Sequence, residues 1–249
     1  MIPVSLRLTS PARRYLFVLG HMRSYSSLLC HILGSHPDID GYCETHVKYR
    51  TWLDLLRLRS RVVRLTGEPL RGRYVLDKVL HNYPLASSIL RSRHTFSVVL
   101  VRRPAPTIQS IINMGLHYSV IPWHRDLDAV VRYYEERLAA LVRLAGQLQG
   151  RVIFIEAETL LSRTADVLKS IEGLLELSEP LQADYRRFAH TGERGFGDPS
   201  AVISTGHINT SAREQRTPVI LPAAVTARLE TAYAACSASL RDRCEALAA

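Results

Sequence analysis

The chain has 249 residues, 47% of them hydrophobic and 22% charged, with 32 Lys and Arg against 23 Asp and Glu for a formal net charge of +9. That apolar content suffices for one sizeable core and excludes wholesale disorder, and no apolar stretch reaches the roughly 20 residues of a membrane span. The basic balance, with an isoelectric point near 9.7, favours an anionic ligand such as a nucleotide, a nucleic acid or an anionic lipid surface, and the excess of Arg over Lys favours forked contacts to phosphate or sulfate.

Residues 1–13 read as a short lead-in, with no apolar signal-peptide core, so a cytoplasmic protein is expected. The run from 15 to 44, YLFVLGHMRSYSSLLCHILGSHPDIDGYCE, is the most informative. Residues 15–19 predict a buried strand. Gly20 ends it, and Leu28, Leu29, Ile32 and Leu33 recur at helical spacing until Gly34 and Pro37. Between them lies a polar loop containing His21, Arg23, Ser24, Tyr25, Ser26 and Ser27. Strand, hydroxyl-rich loop and helix form the layout of a phosphate cradle, since the helix N-terminus points N–H groups and a positive dipole end at an anion. The same run also fits an ordinary strand–turn–helix whose serines cap the helix. It carries no G-x-x-x-x-G-K-[ST], so it is not a standard NTPase loop.

Residues 40–43 predict a second short strand, and a helix is expected from Thr45 with Trp52, Leu55, Leu56, Val62 and Val63 on one side. Residues 67–72 are a turn. Residues 74–76 predict a strand ending at Asp77 and Lys78, and Pro84 opens a helix to about Arg91. Residues 96–101, FSVVLV, are the clearest buried strand, followed by Arg102-Arg103-Pro104 and a helix to about Gly115. Residues 122–126 are a loop. Residues 127–149 are the longest helix, with Leu127, Val130, Val131, Tyr134, Leu138, Leu141, Val142, Ala145 and Leu148 in one stripe. A strand follows at 152–155 and a helix at 164–175. Residues 192–218 lack a period, which predicts a functional lid or a disordered segment. Residues 222–247 predict a closing helix.

Short apolar strands without alternating polarity, separated by helices, predict a single α/β domain over 14–249 with a mostly parallel sheet covered on both faces. Ligands of such sheets bind beyond the carboxyl ends of the strands. The polar residues there are 21–27, Asp77, Lys78, Arg102, Arg103, Glu156 and Glu158. Cys30, Cys43, Cys236 and Cys244 show no C-x-x-C pair or metal-ligand spacing; Cys30 and Cys236 fall on apolar helix faces, as buried thiols do. His117 and His124 have no ligand spacing either, and no metal is expected.

Three stretches together resemble the sulfotransferases that use 3′-phosphoadenosine 5′-phosphosulfate (PAPS), proteins with a fold like that of P-loop nucleotide hydrolases. Arg23-Ser24-Tyr25-Ser26-Ser27, with its strand and helix, resembles the family's 5′-phosphosulfate loop, although Met22 and Tyr25 stand where Pro and Gly are usual. Residues 98–104, with Ser110 eight residues after Arg102, are similar to the 3′-phosphate motif. His36-Pro37-Asp38 leading to Glu44-Thr45 resembles the segment of protein-tyrosine sulfotransferases that carries the catalytic glutamate, and Lys78 resembles a lysine that those enzymes place near the sulfuryl group.

The resemblance implies PAPS as co-substrate, adenosine 3′,5′-bisphosphate as product, and a hydroxyl, less readily an amine, as acceptor. It implies Arg23, Ser24, Tyr25, Ser26 and Ser27 around the 5′-phosphosulfate, Arg102 and Ser110 on the 3′-phosphate, Glu44 as general base, and Arg23 and Lys78 as the cations that neutralise the leaving oxygen. A late loop would close over the nucleotide, with Ser204, Thr205, Arg213 and Arg216 as candidates.

Each of these residues also has a structural reading. Glu44 is suited to a helix start, Lys78 to a pair with Asp77 or Glu158, Arg102 to a strand-end surface charge and Ser110 to a plain helix position. His21, His46 and His81 are alternative bases. A small-molecule kinase, with Glu156 or Glu158 on Mg²⁺, and a non-catalytic polyanion binder are the competing functions. The dispersed basic residues, with no interleaved aromatics, weigh against nucleic acid. Self-association is left open, and the acceptor has no readable motif.

Overall fold

The computed structural model describes residues 13–148, 151–209 and 217–246. The chain runs β1 (Arg14–Gly20), α1 (Ser26–Gly34), β2 (Ile39–Asp40), α2 (Leu53–Thr66), β3 (Tyr74–Val79), α3 (Ser87–Leu90), β4 (Thr95–Val101), α4 (Pro104–His117), α5 (Leu127–Ala145), β5 (Val152–Glu156), α6 (Thr159–Ser162), α7 (Thr164–Leu175), α8 (Ala223–Arg243) and β6 (Glu245–Ala246). The six strands lie in the order β2-β3-β1-β4-β5-β6 and every adjacent pair is parallel.

The absence of alternating polarity in the strands has a direct explanation. Phe17, Leu19, Val75, Val99, Val101 and Phe154 pack into one core. Leu16, Val18, Leu76, Val98, Leu100 and Ile155 pack into another. Successive side chains of a strand point to opposite faces, so each strand is apolar throughout because both its faces are covered. The first core takes α2, α4, α5 and α8, through residues such as Leu58, Ile111, Tyr134 and Leu240. The second takes α1 and α7, through Leu29, Leu33, Val167 and Ile171. Buried Val, Leu, Ile and Phe side chains each contribute about 1.5–3 kcal/mol. Among the described residues no helix is long and apolar enough to cross a membrane, and all four cysteines are free and buried.

Several expectations are corrected. The helix expected from Thr45 begins at Leu53. The intervening backbone is used elsewhere: Tyr49 N–H donates to the Pro84 carbonyl and its carbonyl accepts from Ala86 N–H, both at 2.8 Å. The helix starts where Asp54 accepts from the N–H groups of Arg50 and Thr51. The same pairing shortens α3, which forms only after Ala86. On α2 the core face is Leu55, Leu58, Val62 and Leu65, while Trp52, Leu56 and Val63 are exposed. Successive helical residues lie about 100° apart, so Leu55 and Leu56 cannot share one face.

Residues 122–125, expected as a loop, form a 3-10 turn. β2 is confined to Ile39–Asp40, and Asp77 and Lys78 lie within β3 rather than beyond it. α5 ends at Ala145, and α8 at Arg243, where Cys244 turns extended and leads into β6 beside β5. Leu247, Gln149 and residues 1–12 lie outside the described residues.

Two buried imidazoles tie loops to this frame. His21 donates from Nδ1 to the Met22 carbonyl and accepts from Arg102 N–H at Nε2, both at 2.9 Å. His31 donates from Nδ1 to the Ser27 carbonyl at 2.8 Å and accepts at Nε2 from the Thr191 hydroxyl at 2.9 Å. Burial holds both well below an ordinary histidine, at about 4. Their folded pKa lies below the unfolded value of 6.5, so the stability they lend is lost as pH falls from 6.5 towards 4. Asp77, pushed up to about 7 by burial, works the other way, as one carboxyl against two imidazoles. The expected outcome is a melting temperature that falls between pH 6.5 and 4, with a shallower fall in His31→Gln, as read by calorimetry.

Candidate active site

β1 sits between β3 and β4, and the chain leaves it first towards β2 and β3 and later towards β4. The loop after β1 therefore opens at the point where the strand order reverses, the usual binding crevice of such sheets. Gly20 fits closely there: a Cβ would lie 3.0 Å from both the Leu100 carbonyl oxygen and Ser24 Oγ. Arg23 and Tyr25 have left-handed φ values of 62° and 60°, at a typical cost of about 1–2 kcal/mol for an L-residue. Tyr25 thus adopts the backbone that a glycine would take. Its ring lies under the Arg102 guanidinium, 4.4 Å from the centroid.

A cleft of about 260 Å³ lies over these strand ends. Arg23, Tyr25, Ser26, Ser27, Glu44, Lys78, His81 and Arg102 all line it. Lys78 is buried to 1% exposure and donates from Nζ to Ser27 Oγ at 3.1 Å. Arg102 donates to the Arg23 carbonyl at 2.9 Å. Two expected phosphate contacts are placed differently. The Ser24 hydroxyl is fully buried and donates to the His21 carbonyl at 2.8 Å, which turns it into the loop. Ser110 accepts from Arg23 Nε at 2.8 Å and lines an adjoining cavity of about 300 Å³ together with Asn113, His117 and Tyr118.

Glu44 is 8% exposed. Its Oε1 accepts no hydrogen bond among the described residues; His46 Nδ1 lies 3.7 Å away and His81 Nε2 3.8 Å away. Its neighbour Thr45 is anchored on Asp77, which accepts from Thr45 N–H and Oγ1 at 2.8 Å and from the Tyr49 hydroxyl. The backbone next to Glu44 is thus fixed by the buried Asp77 carboxyl rather than by a helix start. Burial lowers the pKa of His81, against the pull of Glu44, so its imidazole is neutral at pH 7 with a lone pair to offer. His21 has both ring nitrogens engaged in the core and cannot take a substrate proton. Glu156 pairs with Arg241, Glu158 accepts from Arg103 N–H at 3.3 Å, and neither lines the cleft.

The segment after 192 reaches into the same space. Gly197, at φ 149°, comes close enough that a Cβ would lie 3.0 Å from Ser27 Oγ and 3.3 Å from Lys78 Nζ. Asp198 accepts from Arg23 Nη1 at 2.8 Å. Burial of this carboxyl opposes its charge, but the Arg23 guanidinium and Ser200 N–H outweigh burial and hold it below the ordinary range. The pair forms part of the wall between the two cavities, since both residues line each of them. Ser204 and Thr205 lie on a 3-10 turn whose Val202 and Ile203, instead, line the cleft. Arg213 and Arg216 lie outside the described residues.

Sequence reasoning missed Asp198, Tyr133 and Arg137. Tyr133 accepts from Met22 N–H at 2.8 Å and donates to the Leu80 carbonyl at 2.9 Å. Arg137 could have been noticed as a charge on the apolar stripe of α5, three residues after Tyr134; nothing in the sequence marks Asp198.

No protein-family model matches the chain, and no curated protein matches its sequence. Solved structures do. The sulfotransferase domain from the curacin biosynthetic pathway superposes with a TM-score of 0.57 at 16% identity, covering 88% of this chain and 97% of that one. A sulfotransferase from Alicyclobacillus acidocaldarius gives 0.55 at 15% identity, with 93% and 95% covered. The sulfotransferase domain of the Synechococcus PCC 7002 olefin synthase gives 0.50 at 17% identity, with 90% and 96% covered. The chain therefore has the fold of sulfotransferase domains over nearly its whole length, and the cleft lies at the strand-order reversal of that fold.

An anion that engages Arg23 competes with the Asp198 carboxylate, which already holds Nη1. Asp198→Asn removes that competing charge, and calorimetric titration with adenosine 3′,5′-bisphosphate is expected to show an affinity gain of about fivefold, the equivalent of ~1 kcal/mol for a partly exposed ion pair. A loss of affinity would instead make Asp198 a part of the binding site.

Proposed function

We propose that the protein is a PAPS-dependent sulfotransferase that moves a sulfuryl group to a hydroxyl acceptor. The observation that carries this reading is the convergence of Arg23, Ser27, Lys78, Arg102 and the buried Glu44 in one cleft, at the crevice of a fold shared with sulfotransferase domains. Arg102, with Ser110 beyond it, serves the 3′-phosphate. Arg23, the helix N-terminus of α1, Ser26 and Ser27 serve the 5′-phosphosulfate, with Ser24 contributing through the loop it holds.

Sulfuryl transfer resembles phosphoryl transfer in being loose, in line and dependent on position and charge. The acceptor hydroxyl gives its proton to Glu44. Its oxygen bonds to sulfur while the bond from sulfur to the bridging phosphate oxygen breaks, and the electron pair stays on that phosphate. Arg23 and Lys78 stabilise the charge that develops there. The Lys78–Ser27 hydrogen bond supports this assignment, because it brings a buried ammonium to the N-terminal turn of α1. Neutral His81, beside Glu44, is the second candidate for the base. In the kinase reading Glu156 or Glu158 would hold Mg²⁺; neither lines the cleft, Glu156 is paired with Arg241 and Glu158 Oε1 lies 3.9 Å from Arg102 Nε, which favours sulfuryl over phosphoryl transfer. The acceptor is unassigned beyond its hydroxyl.

Glu44→Gln is expected to lower kcat by about 10²–10⁴-fold with the affinity for adenosine 3′,5′-bisphosphate within about threefold, as read with labelled PAPS and a panel of acceptors. A larger loss in His81→Asn than in Glu44→Gln would transfer the base role to His81. Calorimetry without Mg²⁺ tests the nucleotide itself: adenosine 3′,5′-bisphosphate binds, and Arg102→Ala weakens it about tenfold more than adenosine 5′-monophosphate, in keeping with a charge-assisted hydrogen bond of roughly 1.5–3 kcal/mol. Equal weakening of the two ligands would confine Arg102 to supporting the loop.

A further inference from the structure

Arg137 stands on the core face of α5 and is 1% exposed. Its guanidinium donates from Nε to the Gly20 carbonyl at 2.7 Å, from Nη2 to the Val79 carbonyl at 2.6 Å, and from Nη1 to the His81 carbonyl at 2.9 Å and Asn82 Oδ1 at 3.1 Å. All four acceptors are neutral, and no carboxylate forms an ion pair with it among the described residues. Burial lowers its pKa to about 10, with Tyr133 and Glu44 opposing that fall. A buried charge without a counter-ion is unfavourable for folding by several kcal/mol, and an apolar side chain would fill the same space. Its arrangement therefore calls for another explanation, and the acceptors supply one.

Gly20 is the last residue of β1 and begins the loop that carries Arg23 and Ser27. Val79 follows Lys78 at the end of β3, and His81 stands beside Glu44. The planar, five-donor fork of an arginine spans both strand ends, which a flexible ammonium cannot do in one geometry. Tyr133, one helical turn earlier, repeats the pattern by joining Met22 N–H to the Leu80 carbonyl. We infer that Arg137 is a positioning residue, which fixes the distance between the anion loop after β1 and the Lys78–His81 segment by holding the ends of both. This rests on the proposed function, because it concerns the relative placement of Arg23 and Ser27 on one side and Lys78, His81 and Glu44 on the other.

The test uses the full chain with Arg137→Lys, Arg137→Gln and Arg137→Met. Arg137→Lys keeps the charge and loses the fork. It is expected to bind adenosine 3′,5′-bisphosphate within about threefold of wild type while kcat with labelled PAPS falls about 10–100-fold, the scale of a misplacement near 1 Å. Arg137→Met, which loses the charge as well, is expected to weaken the nucleotide in addition. A lysine variant with wild-type kcat and only a lower melting temperature would overturn the inference, as would a set in which none of the three variants folds. Amide hydrogen exchange separates this outcome from failure of the enzymatic reading. If the wild type neither binds the nucleotide nor transfers sulfuryl, faster exchange at both 20–22 and 79–82 in Arg137→Lys still supports the clamp, and unchanged exchange at either segment overturns it.

Discussion

The loop from 21 to 25 is held in a backbone that its own residues resist, and the rest of the site depends on that restraint. Arg23 and Tyr25 both lie in the left-handed region, where L-residues persist only if their surroundings over-determine them. The surroundings here are specific. His21 joins the Met22 carbonyl to Arg102 N–H, Ser24 folds back on the His21 carbonyl, Tyr133 takes Met22 N–H, and Arg102 holds the Arg23 carbonyl. Contacts from Arg102 just after β4, from α5 and from within the loop thus close on five residues. This allows Tyr25 to occupy a position where glycine would be conformationally easier.

The same frame sets the electrostatics. Lys78 and Arg137 are both 1% exposed, and Arg23 and Arg102 lie at the mouth of the same strand ends. Buried cations of this density are unfavourable unless anions offset them. Within the chain Glu44 and Asp198 offset part of the charge, and Asp198 does so by direct contact with Arg23. The segment around Gly197 and Asp198 therefore lines one side of the cleft and pairs with Arg23.

Much of the frame was readable because burial on both faces leaves an unmistakable trace. β1, β4 and β5 appeared as unbroken apolar runs, α5 as an apolar stripe, and α7 was placed at 164–175. The segment 45–52 was misread as helix because the apolar spacing from Trp52 onward was carried back to Thr45, while the backbone there is engaged by Asp77, Pro84 and Ala86. Nothing local reports a partner 32 or more residues away. The orientation of α2 failed for a related reason, since Trp52, Leu56 and Val63 are as apolar as the residues that face the core.

The sequence by itself determined the alternation of buried strands and helices, the fold class, and the hydroxyl-rich loop with its arginine, because periodicity, chain-breaking glycines and polar strand ends are local properties. Only the tertiary structure decided which of those groups face one another. It turned the Ser24 hydroxyl inward, set Arg23 against Ser110 and Asp198, brought Glu44 beside His81, and buried Arg137 under two strand ends. Those outcomes depend on distances between residues up to 175 positions apart, which the packing of parallel strands and their covering helices settles and no local pattern encodes.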